Sequence, residues 1–553
     1  MTAVRRWTSI FCLSLTATWL PAQTTTAPQT TTATTTVQRT TEPVTAETDR
    51  DITDPNALKL SLQDALGTAM QRNLGISLQS YDYQMAGESL RSQYGLYDWF
   101  GQGALSRAKV KGTSQSGALS ETETDVANVG VAQNLPAGGN YFVGFNNNRQ
   151  GGSFSPSLVF SATQPLMRNF GIDVTRRSIL IARNTLGISR EAFRLTLMDT
   201  AVTVEQAYYD LVYARRNVEV AKEALFLARD QARITQIRID VGASAPLDIL
   251  QPRVQISTTE EDLIRAVALV RSAEDRLRAV MNLASADWNR PIIPADSVTY
   301  APVDINVEAS VARAMDLRPE LREALLATET RRVQYFYARN QVLPQVDLNL
   351  GYRALTGRTV AAFDPTGVPI FATPTYSQGL RQVRDLDFPA WSAGFTIGVP
   401  ILNIGARAER RRAELDLDAS KVSQEQTRQS IMVAVRSTAR DVDTAARSIV
   451  ASRTAREAAE QNLEAERRRY ENGMTTLFQV LQIQQQLSGA RVRELQALVG
   501  WAEALASYHR QVGDILDANN ISLGEPPVAP EPRVFNLLDR YNWLNYDRSN
   551  SQK

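Results

Sequence analysis

The side chains that most often carry catalysis are nearly missing from this sequence. Its 553 residues include one cysteine, Cys12, and one histidine, His509. A Ser-His-Asp triad needs its histidine beside a serine and a carboxylate, and zinc or thiolate sites need several Cys or His together. His509 falls in a late helical stretch and reads as a surface or packing residue. Cys12 stands in an apolar run that reads as a secretory signal, so the mature chain is expected to hold no disulfide and no cysteine nucleophile. The preceding Ser9-Ile10-Phe11 is not the Leu-small-small pattern of a lipoprotein site. Carboxylates offer no better: Asp441 and Asp443 lie two apart in one long helix and face different ways. No enzymatic activity, metal or cofactor is expected. Nucleic acid is not an expected partner either, because 60 Lys+Arg against 59 Asp+Glu leave no concentrated basic surface.

The elements around these residues explain more. Residues 1–22 read as a signal peptide, with Arg5 and Arg6 before the apolar Trp7–Leu20 run and Leu20-Pro21-Ala22 at the cut. Residues 23–56 are a Thr/Pro-rich leader with too little apolar content to fold. No later apolar window reaches the roughly 18 residues of a spanning helix, so entry into a membrane would require a β-barrel.

From residue 57 the chain is written twice, over 57–300 and 301–520. Each half reads as a helix, alternating strands and two long helices. The strands fall at about 97–165 and 344–400, the helices at about 175–285 and 406–517. Gly242-Ala243-Ser244-Ala245-Pro246-Leu247-Asp248-Ile249-Leu250-Gln251 matches Gly473-Met474-Thr475-Thr476-Leu477-Phe478-Gln479-Val480-Leu481-Gln482. Both pair a glycine C-cap with Ser or Thr near the next helix start, the chemistry of a sharp antiparallel tip. Leu197, Val204, Leu211, Val218, Leu225 and Ala232 recur every seventh residue, as do Val435, Val442, Ile449, Leu463 and Tyr470, with Arg456 breaking the second series. Such a repeat demands coiled-coil packing, and each helix would be roughly 100 Å long at 1.5 Å per residue.

The strands have period two. Val346, Leu348, Leu350 and Tyr352 alternate with polar neighbours, and Trp391, Ala393, Phe395 and Ile397 alternate with Ser392, Gly394 and Thr396. Alternation alone fits a soluble sandwich or a lipid-facing barrel. Export, the lack of spanning helices and the shortage of sequence for a separate sandwich favour the barrel, with Trp99, Phe100, Tyr141, Phe145, Phe388 and Trp391 as its aromatic girdle. Between the first-half strands, Val129 to Asn146 turns at Gly138-Gly139 and reads as an added hairpin or as an ornament outside the sheet. The tail, 521–553, is proline-rich and should leave the last helix and wrap outside it, with Tyr541, Trp543 and Tyr546 available for packing.

In the order Leu60-Ser61-Leu62-Gln63-Asp64-Ala65-Leu66 with Asn73, Gln164-Pro165-Leu166 with Gly171, Ala207-Tyr208-Tyr209-Asp210-Leu211-Val212, Leu343-Pro344-Gln345-Val346, Val399-Pro400-Ile401 with Gly405, and Tyr470 before Gly473, the sequence resembles the TolC family of outer-membrane efflux proteins. The resemblance runs from about Leu58 to Leu516. It implies a mainly α fold with a transmembrane β-barrel, a TolC-like trimeric α/β barrel of two internal repeats. The implied function is an outer-membrane exit duct of a tripartite efflux or type I secretion system, for small molecules or secreted polypeptides. The implied partners are two further copies, outer-membrane lipid, a periplasmic adaptor (membrane fusion) protein and an inner-membrane pump of RND, ABC or MFS type. By the same likeness Gly242, Ala243, Ser244, Gly473, Met474 and Thr475 are adaptor-contact tips, and Asp248, Gln251, Gln479 and Gln482 are the pore constriction. The family's second-half aspartates are replaced here by Gln479 and Gln482, and its arginine after the tip glycine by Met474 and Thr475. The expected gate therefore rests on glutamine hydrogen bonds and helix packing, with weak cation block. The competing reading is a periplasmic coiled-coil adaptor or structural protein, which predicts one helical hairpin around a compact β-domain.

Overall fold

A computed structural model describes residues 57–113, 119–150, 153–364, 366–522 and 524–530. The signal-like run with Cys12, the leader, and Tyr541, Trp543 and Tyr546 of the tail lie outside the described residues. The first repeat opens with β1 (Leu58–Leu60), α1 (Leu62–Arg72) and α2 (Leu74–Tyr94). Ser61 Oγ accepts from the Asp64 amide at 3.1 Å, and Asn73 Oδ1 accepts from the Gly75 and Ile76 amides at 2.8 and 3.2 Å. Asn73, the single residue between α1 and α2, ends one helix and caps the start of the next, which sets the angle between them. Four strands follow, β2 (Phe100–Thr113), β3 (Leu119–Asn134), β4 (Asn140–Gln150) and β5 (Ser153–Pro165). Then come α3 (Arg177–Asp240), α4 (Leu250–Met281) and β6 (Ile292–Pro294), which pairs in parallel with β1.

The second repeat runs α5 (Val307–Leu317), α6 (Pro319–Gln341) and β7 (Gln345–Leu355). A short excursion of β8 (Thr359–Phe363), β9 (Pro369–Ala372) and α7 (Tyr376–Asp385) precedes β10 (Phe388–Gly398), α8 (Ile404–Glu471) and α9 (Leu477–Val512). The rods α3 and α8 contain 64 and 68 residues, hence lengths near 96 and 102 Å. Gly187 does not interrupt α3. A Cβ there would stand 2.8 Å from Leu326 Cδ1, so the glycine lets α6 approach closely.

The helices form one layer. Toward the sheet the neighbours run α8–α6–α3–α2, and toward the tips α8–α9–α3–α4. The heptad residues Leu197, Val204, Leu211, Val218 and Leu225 are buried, as are Val435, Val442, Ile449 and Leu463, while Ala232 and Tyr470 are half-buried. Each repeat has its own equatorial core: Met70, Tyr208, Leu277 and Met281 in the first, Val311, Ile431, Trp501 and Tyr508 in the second. Arg456 breaks the seam without leaving a charge alone. Its guanidinium lies 2.8 Å from Glu460 and also pairs with Glu494, and Arg491 links Glu460 at 3.1 Å to Glu223 on α3 at 2.6 Å. One layer of three helices is thus joined by ions instead of methyl groups.

The sheet is six-stranded and wholly antiparallel, in the order β10-β7-β5-β4-β3-β2. The Val129–Asn146 segment lies within β3, its turn and β4, both full members of the sheet. The tail leaves α9 and runs beside α2 and α3: Glu525 pairs with Arg190, and the Val528 side chain occupies the space a side chain at Gly87 would fill.

Candidate functional site: the channel wall and the helical tips

Cross-strand register sorts the sheet residues into two faces. Trp391, Tyr352, Phe160, Val143 and Val131 lie opposite one another in a single row, as do Phe395 and Leu348 four residues below. This face is apolar and bare, with Trp391, Phe395 and Ile397 at 79, 64 and 67 % exposure. The opposite face carries Asn128, Asn146, Ser161, Gly351 and Ser392, and Thr163 Oγ1 and Asn349 Nδ2 hydrogen-bond across strands at 3.0 and 2.8 Å. A sheet with its core on neither side and one wet, one greasy face is a barrel wall in lipid.

The apolar band has two edges. At the helix end Trp99 packs edge-on against Tyr141 with centroids 6.0 Å apart. At the far end the same face turns ionic: Arg107 pairs with Asp125 at 2.6 Å, Arg149 reaches Asp125 at 3.5 Å, and Lys109 pairs with Glu121 and Glu123. On β7 the band from Val346 to Ala354 rises about 26 Å along the strand, or about 20 Å of membrane depth at a tilt near 40°. Two aromatics assigned to the girdle belong elsewhere. Phe100 and Phe388 start their strands in the parity of Ser161 and Ser392, so they face the polar side, and Phe388 covers Gly357. Period two lets only one of the adjacent Trp99 and Phe100, and only one of Phe388 and Trp391 three apart, face lipid.

At the opposite end of the molecule both helical hairpins close by the same device. Gly242 and Gly473 have φ of 77° and 73°. Ala243 donates to the Arg238 carbonyl at 2.7 Å and Met474 to the Arg469 carbonyl at 2.9 Å, the long bond of a Schellman turn in each case. Ala243, Gly473 and Met474 are exposed; Ser244 and Thr475 are half-buried. Asp248 Oδ2 accepts from the Ala245 amide at 3.0 Å, so this carboxylate caps the turn Pro246–Ile249 while staying exposed. Gln251, Gln479 and Gln482 are exposed on α4 and α9, beside the buried Val480, Leu481, Ile483 and Leu487. The structure gathers Asp248, Gln251, Gln479 and Gln482 at one end. It also supplies a contact that spacing could not reveal: Arg238 stacks over the Tyr470 ring at 4.3 Å and ties the two tips together.

The titratable groups serve architecture. His509 Nδ1 lies 2.9 Å from Asp514 Oδ1 just past the end of α9. Tyr208 is fully buried, its hydroxyl 3.1 Å from the Leu60 carbonyl, and burial pushes its pKa up to about 12. Asp441 and Asp443 are exposed on either side of buried Val442. No group of His, Cys, Asp and Glu among the described residues could hold a metal ion.

A rod-and-barrel chain written twice is a rare plan, and comparison with known proteins identifies it. The family model for outer membrane efflux proteins matches residues 120–283 and 311–513. The chain belongs to the outer membrane efflux protein family. It is 22 % identical to the outer membrane protein TolC of Escherichia coli K12, over 85 % of this chain and 93 % of that one. Its fold is similar to the Campylobacter jejuni CmeC outer membrane channel, with a TM-score of 0.62 at 15 % identity over 96 % of this chain and 98 % of the other. The Vibrio cholerae outer membrane protein VceC aligns with a TM-score of 0.60 at 15 % identity, over 82 % and 96 %. As a member of this family the protein is an efflux channel subunit of the Gram-negative outer membrane, a duct and not an enzyme. The doubled plan with lipid-suited strands replaces the single-hairpin adaptor reading.

Proposed function

We propose that three copies close into one hollow cylinder, a passive exit duct through outer membrane and periplasm that an inner-membrane pump of RND, ABC or MFS type feeds and a periplasmic adaptor joins at the tips. The unsatisfied edges of the single chain carry this reading. On α2, Leu74, Leu78, Tyr81 and Met85 are 60 to 69 % exposed at spacings of four, three and four residues, a coiled-coil seam with nothing against it. On the other edge α8 exposes Leu415 and Val422. The helices α2 and α8 run in opposite directions beside the two open edges of the sheet, so Met85 and Leu78 of one copy come level with Leu415 and Val422 of the next. Gly242, Ala243, Ser244, Gly473, Met474 and Thr475 are the adaptor-contact tips, and Asp248, Gln251, Gln479 and Gln482 form rings in the constriction.

Leu78→Glu tests the assembly. The mutated side chain is solvent-exposed in the lone chain, so the fold persists by circular dichroism, while the trimer is lost in size-exclusion chromatography with light scattering. A wild-type protein that is monomeric in detergent, or a Leu78→Glu trimer as stable as wild type, would sink the proposal.

A further inference from the structure

Resting on the three-copy assembly above, the register of the sheet points to a barrel of 18 strands as wide as the helical tunnel beneath it. We propose that all six strands of each copy enter the wall, with β10 of one copy pairing to β2 of the next, so that the duct meets the outside without narrowing.

The argument begins with one perpendicular row of paired residues: Phe100, Ala132, Phe142, Ser161, Gly351 and Ser392. Relative to that row the helix-side ends of the strands descend in order. β2 ends at the row, β3 and β4 two residues below it at Asn134 and Asn140, β5 four below at Pro165, and β7 and β10 six below at Gln345 and Gly398. If those ends share one level, six residues of about 3.3 Å are lost over five strand spacings of about 4.8 Å, a tilt of about 40°. Closed barrels tilt their strands by about 35–45°. All six strands follow the same staircase, including β3 and β4, so neither lies outside the wall. β2 and β10 run in opposite directions, and their pairing across the seam continues the antiparallel alternation around the ring.

Width gives an independent check. Six strands spaced about 4.8 Å and tilted about 40° occupy about 38 Å of circumference. Four packed helices with axes 8–10 Å apart occupy about 32–40 Å, and four is the number in each layer of this chain. Sheet and helices therefore subtend the same arc. Four strands alone would cover only about 25 Å and force a taper. Three copies of six strands give a wall of radius about 18 Å, against about 12 Å for a 12-stranded wall at the same tilt. Apart from Phe142, the side chains that β3 and β4 place on the polar face are uncharged and mostly small. At Gly130 and Gly144, opposite each other, the Phe142 ring lies flat over both. A wide lumen of this lining suits bulky polar cargo and sorts weakly by charge.

The test is a distance across the pore. Ser161→Cys places one nitroxide label on the polar face of β5, in a chain whose only natural cysteine is Cys12. In the detergent-purified protein, pulsed dipolar spectroscopy reads the side of the triangle that three labels make. The backbone positions are about 31 Å apart for 18 strands and about 21 Å for 12, and the inward reach of the label shortens both alike. The longer separation supports the wide wall. The shorter one overturns it and leaves the three-copy duct intact. Absence of a dipolar distance in a protein that elutes as a monomer overturns the assembly itself. Asn349→Cys on β7 repeats the measurement should labelling at Ser161 disturb folding.

Discussion

Replacing Glu503 by glutamine should stabilise the protein above neutral pH and leave it unchanged in acid. Glu503 on α9 meets Asp210 on α3, and Arg276 on α4 holds Asp210 at 2.8 Å. Burial, then the neighbouring Asp210 carboxylate, push the Glu503 pKa from 4.5 up to about 7. A rise of about 2.5 in pKa would correspond to about 3 kcal/mol if fully expressed. Glu503 is half-exposed, and solvent screening leaves about 1–2 kcal/mol of it. The sign follows from proton linkage. Below pH 4.5 the acid is protonated in folded and unfolded chains alike, and its charge costs nothing. As pH rises toward 7 the unfolded chain ionises first, and above 7 the folded chain carries the full penalty. Glu503→Gln keeps the shape and removes the charge. Guanidinium unfolding followed by circular dichroism at 222 nm should show the variant about 1–2 kcal/mol more stable at pH 8 and equal to wild type at pH 4. An equal gain at both pH values, or a loss at pH 8, would refute the reasoning.

Three further outcomes follow from the geometry. Arg456→Ala leaves Glu494 and Glu460 facing each other across α8 and α9 and should cost about 1–3 kcal/mol, read as faster amide exchange in the tip half of α8; unchanged exchange there would mean that the ion layer is ornamental. Arg238→Ala removes the stacking on Tyr470, worth about 0.5–1 kcal/mol, and should raise basal open probability in planar bilayers about two- to five-fold, with Arg238→Lys between; equal conductance in all three contradicts a tie between the tips. Divalent cations should block the wild-type channel weakly and Asp248→Ala hardly at all, since Asp248 is the one carboxylate among the residues proposed for the constriction; strong block that survives Asp248→Ala points to acids elsewhere.

Much of the plan was legible because it is periodic. A seven-residue repeat kept from 197 to 232, and again from 435 to 470 but for Arg456, calls for a coiled rod, and Leu211 or Val442 lands in the seam without any knowledge of its partner. The tips were legible because a left-handed turn calls for glycine at Gly242 and Gly473. What stayed hidden was set by contacts between distant residues. Arg456 looked like a flaw in the heptad, and only the approach of Glu494 and Arg491 makes it a joint. Arg238 drew no notice because its partner, Tyr470, belongs to the other hairpin. The strand count stayed open because the Val129–Asn146 segment, with Gly130 and Gly144 among its residues, reads either as an added hairpin or as an ornament outside the sheet. Phe142 covers both glycines and makes the segment a strand. The repeat itself was misleading at that point, since the second half holds β8, β9 and α7 where the first holds β3 and β4.

The two longest helices never break, whereas the shorter ones beside them are spliced halfway along. The start of α2 meets the end of α4 beside α3, and the start of α6 meets the end of α9 beside α8. The splices are marked by Asn282 and Gly513, both left-handed, with φ of 47° and 93°. At Gly513 a Cβ would stand 3.1 Å from Leu317 Cβ, so the junction is already tight. Such a frame behaves like a splinted spar: a push on the lower staves flexes the joints at mid-height, while the continuous members keep the mouth in the membrane round.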